Sequence, residues 1–227
     1  MEKKPRLIVD MIADPVCPWC YVGLKSFFTA RTELAKDFEV VTRFRPYLLN
    51  PDTPKEGVDR QAYYDKKFPD QKKRAAMTEA LVKTASEAGF DFDHTRVKHL
   101  PNSIDAHRTL RWAHFKGAHE DVALKIYEAF WDEGRNIGDK EVLSEIGAYE
   151  EPAREQLAND LDSDKDVDLI RMEARQFSEA GVNGVPTFIV NEVVGFSGAM
   201  PPIQLEQGIR QAAHQAAQSP SPNTKAE

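Results

Sequence analysis

The chain's two cysteines stand three residues apart, as Cys17-Pro18-Trp19-Cys20. Two thiols at that spacing make and break a disulfide with little backbone movement when they lie one helical turn apart. Their setting supplies such a turn. The apolar run Leu7-Ile8-Val9-Asp10-Met11-Ile12-Ala13 reads as a strand, and a helical pattern begins at the cysteines. A strand that ends at a helix start puts the first sulfur at the positive end of the helix dipole, where unsatisfied N–H groups favour a thiolate over a thiol. Blander readings carry less weight. A structural bridge closing so short a loop removes little entropy from the unfolded chain. A tetrahedral zinc site needs four ligands, and the histidines at 94, 99, 107, 114, 119 and 214 show no compact ligand spacing, so a metal could only be shared between two chains of a dimer. The expectation is redox chemistry at Cys17 and Cys20, with no metal and no tightly bound cofactor.

Composition bounds the partners. The chain has 227 residues and a net charge of −7, with no basic stripe, which speaks against nucleic acid. No apolar run approaches a membrane span. The N-terminus lacks the long apolar stretch and small-residue cleavage site of a signal peptide, so a cytoplasmic location is expected. In a reducing compartment a close cysteine pair is more often catalytic than structural.

The elements that must position the cysteines follow in order. Residues 6–13 form a strand, apolar almost throughout as expected when both faces are buried. Pro18 suits a first helical turn, and the helix is expected to run to about Lys36. Phe38 to Phe44 alternates and reads as a second strand, parallel to the first. After a loop at 46–57, nearly everything from Asp59 to Gly181 is helical. Its apolar stripes (Met77, Leu81, Val82, Ala85; Leu110, Ala113, His114; Val122, Ile126, Ala129, Phe130) read as helix packing. Sheet signals return at Val185 to Val190, then Asn191-Glu192 turns into Val193 to Phe196 as an antiparallel hairpin. A last helix runs from Pro201 to about Ala217, with Ile203, Leu205 and Ile209 as its apolar face. The polar tail reads as disordered. Pro186 opens its strand; a cis bond before it would turn the N–H and C=O of Val185 outward, where an extended substrate could pair with them.

Asp14-Pro15-Val16-Cys17-Pro18-Trp19-Cys20-Tyr21-Val22-Gly23, together with Gly181-Val182-Asn183-Gly184-Val185-Pro186-Thr187-Phe188, resembles the DsbA family of thioredoxin-fold proteins. More narrowly the chain is similar to the FrnE-like branch, related to 2-hydroxychromene-2-carboxylate isomerases. Leu49-Asn50-Pro51, Asn102-Ser103 through Ala106-His107-Arg108 to Trp112-Ala113, Ala129-Phe130-Trp131 and Phe196-Ser197-Gly198-Ala199 match in the same order. The resemblance implies an α/β, thioredoxin-like fold (βαβ plus a late ββα) with an inserted all-helical domain. It divides as 1–57 and 181–217 for the thioredoxin-like parts, 58–180 for the insertion and 218–227 for the tail. It also implies a redox dithiol at Cys17 and Cys20 and a cis Pro186 facing it. The isomerase relatives carry serine at the first motif position, and periplasmic DsbA enzymes carry histidine between the cysteines; this chain has Cys17 and Pro18-Trp19.

The function expected is a protein disulfide oxidoreductase. Cys17 is the exposed attacking thiolate and Cys20 the buried resolving thiol, while Trp19, Val185 and Pro186 hold the substrate. Protein thiols and disulfides, or glutathione as co-substrate, are the partners; oligomeric state is open, a dimer included. His107 and Arg108 are candidates for the groove between insertion and core, Arg108 for a substrate or glutathione carboxylate. Asp14 reads as a strand end, and Asn102 as an N-cap. A glutathione-dependent isomerase or transferase on an aromatic small molecule, and a redox-regulated holdase, are the competing functions.

Overall fold

The structure, a computed structural model, describes residues 3–148 and 150–218. The tail expected to be disordered lies outside the described residues, apart from Gln218. A four-stranded sheet has the order β2-β1-β5-β6. Strand β1 (Arg6–Ala13) is central and buried, as its apolar run, broken by Asp10 alone, requires. Helix α1 (Pro18–Leu34) crosses to β2 (Glu39–Pro46), which pairs parallel to β1 from Arg6↔Glu39 to Ala13↔Pro46. This pairing carries β2 two residues past the expected end at Phe44.

β5 (Thr187–Val190) runs antiparallel to β1, from Val9↔Val190 to Ile12↔Thr187. β6 (Val194–Ser197) folds back on it through Asn191 and Glu192, whose φ angles of 50° and 63° are both left-handed. Two such residues in succession match the twist of a hairpin. Helix α9 (Pro202–Gln218) packs against α1, burying Leu205 and Ile209; Ile203, expected on that face, is 64 % exposed.

Between β2 and β5 run β3 (Val58–Asp59), α2 (Arg60–Lys67), α3 (Gln71–Glu87), β4 (His99–Leu100), α4 (Ile104–Phe115), α5 (His119–Trp131), α6 (Lys140–Gly147), α7 (Ala153–Asp162) and α8 (Val167–Glu179). The β3–β4 ribbon was not legible, because two residues per strand show no alternation. The α5 stripe Val122, Ile126, Ala129 and Phe130 is buried as expected, whereas Met77 and Val82 of α3 are 45 % and 41 % exposed and His114 is also exposed. Tyr21 of α1 stacks on Tyr127 of α5 and meets Phe90 and Phe92, and its hydroxyl donates to Asp132. The indole N–H of Trp131 donates to the carbonyl of Pro15 at 3.0 Å, so this segment grips the loop that carries Cys17. Among the described residues, no helix is long and apolar enough to cross a membrane.

Gly23, on the second turn of α1, lies against Pro186: a Cβ there would sit 2.7 Å from the proline Cγ. A proline ring has little freedom to yield. Gly23→Ala should therefore destabilise the fold by roughly 1–3 kcal/mol, despite alanine's better helix propensity. Urea denaturation measures this; an unchanged or raised midpoint would contradict the packing.

Candidate active site

Cys17 precedes the first residue of α1, with extended backbone (φ −91°, ψ 118°), and Pro18 fills the first helical position. The Cys17 N–H donates to the Asp14 carbonyl at 2.9 Å. The Cys17 carbonyl accepts from Cys20 N–H at 3.0 Å and Tyr21 N–H at 3.3 Å. The first helical turn thus places both sulfurs at one end of the sheet. Both are free thiols. Cys17, expected to be exposed, is only 5 % so; it meets a cavity rather than open solvent. Its Sγ lies 3.8 Å from the carbonyl oxygen of Val185, and the Val185–Pro186 bond is cis. Cys20 is fully buried. Burial, then its hydrogen bond with Cys17, push the Cys20 thiol well above the ordinary range, so it holds its proton. Two thiols in one turn, one facing a cavity and one sealed beneath, can exchange disulfides in sequence.

The cavity, about 280 Å³, has walls from distant stretches. Trp19 and Val185 stand beside Cys17; Leu49 and Asn50 come from the loop after β2; Tyr63, Tyr64 and Phe68 come from α2 and its end; Met77 and Leu81 come from α3. Sequence reasoning took Met77 for helix packing and left the α2 aromatics unassigned. The available signal was a short helix with three aromatic rings and no partner stripe.

Asp14 does more than end a strand. It is fully buried, and its carboxylate accepts from the N–H groups of Leu49 at 2.8 Å and Val16 at 3.3 Å, tying the cavity wall to the cysteine loop. Burial raises its carboxyl to about 6, against the lowering effect of the Leu49 hydrogen bond. His107 is buried behind that loop, with Nε2 at 3.1 Å from the Tyr47 carbonyl and 3.9 Å from Asp14 Oδ1. Burial depresses it to about 4, so it is neutral near pH 7 and donates to the carbonyl. It does not line the cavity.

Arg108 is a correction. Its guanidinium is buried and donates to Asp105 and to the carbonyls of Asp160, Leu161, Ser163 and Lys165, with Nε–O at 2.6 Å. All five N–H donors are engaged in holding the end of α7 to α4, which leaves none for a substrate carboxylate. Asn102 serves α4 from one residue earlier than a cap: its Oδ1 accepts from Ile104 N–H at 3.0 Å and its amide donates to Thr53 O at 2.6 Å, while Ser103 holds the N-cap position. Among the described residues no group of three or more His, Cys, Asp or Glu could hold a metal.

A family model described as a DSBA-like thioredoxin domain matches residues 8–210. The uncharacterized protein YwbO of Bacillus subtilis is 23 % identical over 187 residues, covering 82 % of this chain and 88 % of YwbO. Among solved structures, a probable DsbA oxidoreductase from Streptomyces coelicolor superposes with a TM-score of 0.78 at 24 % identity, covering 98 % of this chain and 94 % of that one. The cytosolic disulfide reductase DsbM from Pseudomonas aeruginosa, solved with GSH, superposes at 0.59 with 17 % identity, covering 93 % and 98 %.

The two buried titrating groups have opposite signs. Asp14's folded value is raised above its unfolded one, so its contribution to stability falls as pH rises from about 4 through 6; His107's is lowered, so its contribution is lost as pH falls below about 6.5. Asp14→Asn keeps an acceptor and removes the first effect. The stability difference, variant minus wild type, should climb by roughly 3 kcal/mol between about pH 4 and 7 in urea titrations, and a flat difference would refute the assignment. Arg108→Ala should cost several kcal/mol of stability, since it leaves Asp105 and four carbonyls without their donor, and glutathione exchange per folded molecule should be unchanged.

Proposed function

The chain belongs to the DSBA-like thioredoxin domain family, and on that premise we propose that it is a thiol–disulfide oxidoreductase working through Cys17 and Cys20. One observation carries the reading: the two sulfurs share the first turn of α1, yet Cys17 faces the cavity and the Val185 carbonyl while Cys20 is sealed and protonated. That asymmetry assigns the roles.

In the reducing direction the Cys17 thiolate attacks one sulfur of a substrate disulfide. A Cys17–substrate disulfide forms, and the first substrate thiolate leaves and takes up a proton. Cys20 loses its proton as it attacks Cys17 Sγ; the Cys17–Cys20 disulfide forms, and the second substrate thiolate leaves and takes up that proton, directly or through water. Two electrons have passed from the dithiol to the substrate, and two equivalents of a small thiol restore it. The same steps in reverse oxidise a substrate dithiol. Trp19 and Val185 flank the reacting sulfur, with Pro186 next in the chain after a cis bond; the Val185 carbonyl suits an extended segment or the amide of a small thiol. Glutathione is the small thiol proposed, supported by the DsbM structure holding GSH. A cytoplasmic location is proposed on the likeness to DsbM, a cytosolic disulfide reductase.

Cys17→Ser should reduce insulin reduction with glutathione to the uncatalysed background. Cys20→Ser should instead accumulate mixed disulfides, visible by mass spectrometry as adducts at Cys17. Full activity in Cys17→Ser would overturn the proposal.

A further inference from the structure

The cavity in front of Cys17 is lined by cationic side chains and, among the described residues, by no carboxylate. The chain carries 37 acidic residues against 30 Lys and Arg, yet none of the described acids borders this cavity, where Arg60, Lys67 and Arg74 all appear beside His94. Arg74 is paired with Asp65 at 2.6 Å. Lys67 donates to Asn50 Oδ1 at 2.8 Å and to the Tyr63 hydroxyl at 2.5 Å, both neutral. Arg60 is the most exceptional. Its guanidinium lies 4.5 Å from the centre of the Tyr64 ring and 5.8 Å from that of Trp131, its Nε is buried without an acceptor, and no described carboxylate forms an ion pair with it. With Nε sealed and no carboxylate competing, the remaining N–H groups of the guanidinium are the ones an anion in the cavity would meet. Burial, and then Arg60, hold His94 below its ordinary range.

The rest of the wall is apolar and aromatic, from Leu49, Tyr63, Tyr64, Phe68, Met77 and Leu81. At about 280 Å³ the space is of small-molecule size. We propose that Arg60 is the specificity-determining residue of the thiol exchange. The substrate, as distinct from the glutathione that restores the dithiol, is a small disulfide with an apolar, aromatic body and an anionic group, the body lying against Tyr63, Tyr64 and Phe68 and the anion on the Arg60 guanidinium. This rests on the exchange chemistry proposed for Cys17.

Two aromatic disulfides separate the claims: dithiobis(nitrobenzoate), which carries carboxylates, and dithiodipyridine, which is neutral. The reduced protein is mixed with each and thiolate release is followed by absorbance. Arg60→Gln should slow the anionic probe by about tenfold and leave the neutral probe nearly unchanged, and Arg60→Lys should recover part of the loss. Equal slowing of both probes, or of neither, overturns the assignment. In the wild-type protein, naphthalene carboxylate should protect Cys17 from the neutral disulfide where naphthalene methanol does not; equal protection overturns the assignment too, and this needs no variant to fold. A wild-type protein inert to the neutral probe would sink the exchange chemistry itself, whereas a reactive but unselective one would sink Arg60 alone.

Discussion

The site depends on the antiparallel pairing of β1 with β5. Four residue pairs, Val9↔Val190 to Ile12↔Thr187, join parts of the chain that the whole helical segment separates. That ladder sets Val185 and Pro186 beside the end of β1, within reach of a sulfur 168 positions earlier. Side chains pin it at both ends. Asn191 accepts from the Ile8 N–H at 3.0 Å and returns its own N–H to the Ile8 carbonyl at 2.9 Å. At the other end Thr187 bonds to Ser197 and to the Gly184 carbonyl, fixing the turn that presents Val185. A slip by one residue would turn every β5 side chain to the other face.

Given that ladder, burial separates the chemistry of two identical side chains. Cys20 points into the core beneath α1, where a thiolate would be desolvated and unpaired. Cys17, one turn away, keeps one open side. The surrounding aromatics hold this difference in place: Trp131 fastens the Pro15 carbonyl, and Tyr21 is clamped among Phe90, Phe92 and Tyr127. Asp14 adds a polar tie inside this buried region, and burial raises its carboxyl.

Local signals were legible and satisfaction was not. The helix start at Cys17-Pro18-Trp19-Cys20, the largely apolar β1, the Asn191-Glu192 turn and the α5 stripe each announce themselves within a few residues, and the structure has them. Arg108 and His107 look from sequence like free polar groups near a groove. Whether their donors are consumed by backbone carbonyls depends on α7 and on the loop after β2, more than fifty residues away in each case. Met77 failed for the converse reason: an apolar residue on a helical stripe reads as core, and only tertiary placement shows that it faces a cavity. The unsatisfied Nε of Arg60 is likewise a fact of three dimensions.

One wall of the cavity is built unlike the other. The cysteine side belongs to the sheet and to α1, whose residues are buried by the dozen; α2 buries no residue, and α3 buries only Leu81 and Ala85. Elements with so few sealed contacts part from their neighbours at a small fraction of the free energy needed to unfold a central strand. The volume before Cys17 is accordingly elastic on one side and rigid on the other. On the proposed reading, such a chamber would discriminate by charge and by ring faces and tolerate variation in bulk, because the α2–α3 half could recede while the cysteine half stays put.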